Sequence, residues 1–148
     1  RQLLLAGLAA SAVPLPAFAQ AQKPLIEVYK SPSCGCCEAW AERAKQAGYG
    51  LFKRDVSQER LSDIRSRRNI AYELRGCHIA FVEGYVLEGH VPYEDIDRLL
   101  ADRPDAIGLA VPGMPVGAPG MDYGSRSEAF ETLLVLADGS TKVFQRHG

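Results

Sequence analysis

The chain has 148 residues, 47% of them hydrophobic and 24% charged, with a formal net charge of −1 at pH 7. That balance leaves no electrostatic footprint for nucleic acid, and the length is enough for one domain with its own core. A local basic stretch, Arg60, Arg65, Arg67, Arg68 and Arg75, is interspersed with Asp55, Glu59, Asp63 and Glu73, so it reads as a solvated helix face.

In chain order, the first feature is the apolar run Leu3-Leu4-Leu5-Ala6-Gly7-Leu8-Ala9-Ala10, too short to span a bilayer. Ala17-Phe18-Ala19 follows and matches the small-x-small rule for signal-peptidase cleavage. Residues 1–19 are therefore expected to be a signal peptide whose charged start is truncated. Residues 20–148 are expected to be one exported domain, working in a bacterial periplasm. No later apolar stretch approaches transmembrane length, so no membrane association is expected after cleavage.

Leu25 to Lys30 reads as a mostly apolar strand running into a turn at Ser31-Pro32-Ser33. A helix is predicted from near Cys34 to Gly48, with Cys37, Trp40, Ala44 and Ala47 as its inward stripe. Tyr49 to Val56 is a second strand and Arg60 to Arg68 a second helix, followed by an irregular segment closed at Gly76. Ile79–Val82 and Tyr85–Leu87 flank Glu83-Gly84, a hairpin signal. Pro92 suits the first position of a third helix carrying Ile96, Leu99 and Leu100. Pro104 to Gly124 holds too many prolines and glycines for a regular element, and a loop of that length in a compact domain points to function or disorder. Thr132–Leu136 and Thr141–Phe144 around Asp138-Gly139 predict a terminal β-hairpin. The order β-α-β-α-β-β-α is that of an α/β, thioredoxin-like core, here extended by a Pro/Gly-rich loop and a C-terminal hairpin.

The chemistry concentrates in Cys34-Gly35-Cys36-Cys37, at the strand-to-helix junction. A lone C-x-x-C there would suggest a redox pair. Unpaired N–H groups and the positive dipole end at a helix start favour thiolates. Cys77-His78, at the start of the third strand, lies across from that helix start in this topology. Four sulfurs and an imidazole exceed what one tetrahedral ion needs. The set therefore suits bridging thiolates around Cu(I), with zinc as the other metal such ligands take. Two structural staples fit less well, because pairing adjacent Cys36 with Cys37 would be geometrically poor. His90 reads as a partner that orients a metal ligand or as a strand-end histidine, Trp40 as core or site wall, and His147 as an inert terminal residue. Met114 and Met121 are thioethers in the Pro/Gly loop, apt for Cu(I) yet common as gap-fillers.

These motifs together resemble a known family. Ser31-Pro32-Ser33-Cys34-Gly35-Cys36-Cys37, Cys77-His78, Glu88-Gly89-His90-Val91-Pro92 and Gly108-Leu109-Ala110-Val111-Pro112-Gly113-Met114-Pro115-Val116-Gly117 are similar to those of the CopG-like copper-resistance proteins, in matching order and spacing. The resemblance implies a small periplasmic metal-binding protein with a thioredoxin-like fold. Copper would be held by Cys34, Cys36, Cys37 and Cys77, with His78 as a further ligand. The expected function is copper resistance or handling, with copper redox activity as an extension of it, and the expected partners are copper ions and other periplasmic copper-handling proteins. The chain departs from ordinary thioredoxins in having no proline at the Cys77-His78 position. The alternative reading is a thiol–disulfide oxidoreductase using Cys34 and Cys37.

Overall fold

The computed structural model describes residues 22–148. The expected signal peptide and its cleavage signal therefore lie outside the described residues. The elements are β1 (Lys23–Lys30), α1 (Gly35–Gln46), β2 (Tyr49–Asp55), α2 (Gln58–Arg67), β3 (Ile79–Val82), β4 (Tyr85–Glu88), α3 (Tyr93–Asp102), β5 (Gly108–Ala110), β6 (Phe130–Val135) and β7 (Thr141–His147). The fold is mixed α/β, built on one seven-stranded sheet in the order β2-β1-β3-β4-β5-β6-β7. β1 runs parallel to β2 and β4 parallel to β5; the remaining neighbours are antiparallel.

Local chemistry sets the element ends. Gly48 adopts φ +94° just past α1, a left-handed stop that a side chain would resist. Ser57 caps α2 by accepting the Arg60 N–H on its hydroxyl at 3.1 Å, so that helix begins earlier than its apolar pattern suggests. Pro92 occupies the N-cap of α3 rather than its first helical residue. Two features went unread in the sequence. Tyr72–Leu74 forms a single 3₁₀ turn, and β5 lies inside the Pro/Gly-rich segment expected to be irregular. β5 has only three residues, and sheet partners on both sides hold it in place of intrinsic propensity.

The sheet carries helices on both faces. On one, Ile26, Val28, Ala80, Val82 and Leu87 pack with Trp40, Ala41 and Ala44 of α1 and with Ile96 and Leu99 of α3. On the other, Ile79 and Val86 pack with Leu61 and Ile64 of α2. Alternate residues of β3 and β4 thus feed opposite cores, the period-2 signature of a central strand covered on both sides. This arrangement brings the start of α1 against the N-terminal end of β3. Among the described residues, no helix is long and apolar enough to cross a membrane.

Candidate metal centre

Cys34 is the N-cap of α1, with extended backbone (φ −83°, ψ 96°) and no side-chain cap bond. Cys36 and Cys37 follow in the first turn. Cys37 is fully buried, while Cys34, Cys36 and Cys77 are partly exposed. Cys34 and Cys37 form a disulfide, and Cys36 and Cys77 are free. Cys77 Sγ lies 3.3 Å from Cys37 Sγ and 3.5 Å from Cys36 Sγ, and Cys36 Sγ lies 3.5 Å from Cys34 Sγ. All four sulfurs lie within 4.8 Å of one another. The expected placement of Cys77-His78 opposite the helix start is what the fold produces.

Imidazoles close the other side. His78 Nδ1 is 3.5 Å from Cys77 Sγ, and His90 Nε2 is closer, at 3.0 Å. Cys77, His78 and His90 form a second group of potential ligands within the same 4.8 Å limit. His90 stood outside the ligand set read from the sequence. The loop after β4 brings it in, through Gly89 at φ +74° and the bond from Gly89 N–H to His78 O at 2.9 Å. Only the paired register of β3 and β4 could have revealed that approach.

Buried aromatic and imidazole rings wall one side of the site. Trp40 lies against the His78 ring at 4.6 Å between centroids and donates its indole N–H to Val91 O at 2.9 Å. It serves as both core and site wall. His78 is fully buried, and its Nε2 has no hydrogen-bond partner among the described residues. Burial holds the His78 and His90 pKa values below the ordinary imidazole range, so both rings stay neutral, the form that binds metal. Burial also pushes the Cys77 thiol well above its usual value, with the Cys36 sulfur adding to the effect. A soft cation that displaced the Cys77 proton would relieve that penalty.

The Pro/Gly-rich loop is an ordered flank of the site. Gly120 adopts φ +83°, and a Cβ there would lie 2.8 Å from Cys36 O and from Trp40 N, so the loop backbone rests directly on the start of α1. Pro119 O is 2.8 Å from His90 Nδ1. Met114 is 53% exposed and lines, with Arg75, Gly76, Cys77 and Gly113, a recess of about 150 Å³ opening onto Cys77.

Two other expectations need correction. Arg65 does not belong to a solvated helix face. It is 5% exposed and forks onto the fully buried Glu88, with Nε at 3.0 Å and Nη2 at 2.8 Å from the carboxylate. Arg60 and Arg67, by contrast, pair with Asp63 at the surface as their pattern suggests. His147 is not an inert end residue either. It lies in β7, stacks on Phe130 and approaches the buried Asp95 carboxylate at 2.8 Å.

Comparisons with known proteins converge on one family. A family model described as a protein of unknown function, DUF411, matches residues 74–121, the segment carrying Cys77, His78, His90 and the loop. Two solved structures described as copper resistance protein CopG, forms 2 and 1, are 35% and 34% identical to this chain. Each match covers 84% of this chain and 98% of the other, with TM-scores of 0.77 and 0.78. No curated protein matches the sequence.

Proposed function

The chain belongs to the CopG-like family of copper resistance proteins, and from that premise we propose that it binds copper as Cu(I) for copper resistance or handling in the bacterial periplasm. The single observation that carries the reading is the gathering of four cysteine sulfurs within 4.8 Å at one helix start. Cys34, Cys36, Cys37 and Cys77 supply the soft thiolates, and His78 and His90 supply neutral imidazoles. The donor set suits Cu(I) better than a single structural zinc, which is satisfied by four ligands. Full use of the sulfurs requires the Cys34–Cys37 disulfide to be reduced, so copper loading and thiol oxidation compete for the same atoms. The segment 1–19 supports export.

The disulfide also favours a second reading, thiol–disulfide exchange with Cys34 attacking and Cys37 resolving. Cys36 separates the two. In exchange it is dispensable, whereas a bridging thiolate holds two ions at once. Anaerobic Cu(I) titration of reduced protein against a competing chelator, with a disulfide-reductase assay on the same samples, is the test. Cys36→Ser should lower copper stoichiometry, with negligible reductase activity in the parent. Unchanged stoichiometry, together with reductase activity that needs Cys34 and Cys37, would overturn the copper assignment.

A further inference from the structure

Buried behind the sulfur cluster is an ion pair with an unusual second set of partners. Arg65 of α2 and Glu88 of β4 form a forked contact. The same two side chains also hold the peptide groups on either side of one residue, Gly76. Glu88 Oε1 accepts the Gly76 N–H at 2.8 Å, and Arg65 Nη2 donates to Gly76 O at 3.0 Å. Gly76 immediately precedes Cys77. Its other side is closed by backbone, since a Cβ on it would lie 2.6 Å from Gly89 Cα.

A buried ion pair is weak evidence of a stability role, because desolvation offsets most of its attraction. Here burial pushes the Glu88 carboxyl up, against the pull of Arg65 that favours the anion. The pair's spare hydrogen-bonding capacity goes to Gly76. Held at both its N–H and its carbonyl, Gly76 fixes where the Cys77 Cα sits relative to the start of α1, where the other three cysteines lie.

We infer that Arg65 and Glu88 are positioning residues that hold Cys77 Sγ in bridging range of the α1 cysteines. The inference uses the copper reading only for what the sulfur is positioned to do. Outer partners that orient metal ligands typically change affinity by about 10–100-fold when lost. An Arg fork can serve a carboxylate and a carbonyl together, whereas the ammonium of lysine is a point donor on a flexible stem.

The test needs a readout of proximity independent of copper. In a Cys34→Ser/Cys37→Ser background, Cys36 and Cys77 are the remaining thiols, with sulfurs 3.5 Å apart. Dibromobimane fluoresces once it bridges two thiols, so its bridging rate reports their approach. Arg65→Met/Glu88→Leu replaces the pair with apolar groups of similar bulk, a change that buried ion pairs often tolerate. Arg65→Lys keeps the charge and removes the fork. We expect both variants to retain the parent's circular dichroism and to bridge severalfold more slowly. With all four cysteines restored, Cu(I) affinity should fall about tenfold. Unchanged bridging and affinity in whichever variant folds would overturn the inference. A parent protein that takes up no Cu(I) would instead sink the copper reading, while the bimane comparison would still decide the clamp.

Discussion

His90 donates its Nδ1–H to the backbone carbonyl of Pro119 at 2.8 Å, and that bond decides which atom of the ring faces the cluster. A carbonyl can only accept, so the proton stays on Nδ1 and the Nε2 lone pair points at Cys77 Sγ, 3.0 Å away. The loop carrying Pro119 rests in turn on α1 through Gly120. One end of the loop therefore sets the tautomer of a histidine that the other side of the site uses.

From this geometry, His90→Ala should weaken Cu(I) binding about tenfold while leaving stoichiometry unchanged, because all four sulfurs proposed to hold copper remain. Competition titration against a Cu(I) chelator measures it. Affinity equal to the parent's would show that His90 supports the fold and does not reach the metal.

The apo protein should lose stability on acidification. His78 and His90 are both held below the ordinary imidazole value by burial, whereas in the unfolded chain they protonate near about pH 6.5. Below that pH the unfolded state binds more protons than the folded one. Their contribution is thus complete above about pH 6.5 and is lost as the pH falls from there through the depressed folded values. Urea unfolding of the metal-free protein across this range should show a falling midpoint. His78→Leu should flatten the dependence, and a midpoint that rises on acidification would contradict the assignment.

Met114 and Met121 should modulate copper binding without creating it. Met114 lies at the rim of the Cys77 recess and is 53% exposed, while the four clustered sulfurs and the two buried imidazoles already offer enough donors for copper. Replacing both methionines with leucine should preserve most bound copper in a titration. Complete loss with the fold intact would make the loop a source of primary ligands.

Gly76→Ala should be costly for a reason local to the site. The added methyl would meet Gly89 Cα at 2.6 Å, backbone against backbone, with no flexible side chain to yield. Overpacking of this kind costs about 2 kcal/mol. Denaturant unfolding should register that loss, and the displaced Cys77 should weaken Cu(I) binding in the molecules that remain folded. Gly35→Ala, where a Cβ meets nothing within 4 Å, serves as the control.

Export should leave a species beginning near Gln20, since Ala17-Phe18-Ala19 is the well-placed cleavage signal after the apolar run. Intact-mass analysis of periplasmic protein checks this. A dominant form retaining Leu3 to Ala10 would refute the periplasmic proposal.

The order of every element except β5 and the 3₁₀ turn was legible in the chain, because hydrophobic period, glycine stops and turn dipeptides are local signals. Gly48 ending α1, Glu83-Gly84 joining β3 to β4 and Asp138-Gly139 joining β6 to β7 all act within a few residues of where they are read. The chemistry on offer was legible too, since three cysteines at one helix start are soft donors in any fold. Which groups meet depends on long-range pairing, which leaves no local trace. His90 reaches Cys77 because β3 and β4 pair in one register, and 13 residues of separation carry no signal of a 3.0 Å approach. Arg65 looked like one more surface charge because composition cannot show that the face of α2 bearing it turns inward onto Glu88. β5 was hidden because a three-residue strand is held by its neighbours in the sheet and has no periodicity of its own. Local rules name the elements and the ligands; long-range pairing energies assemble the site.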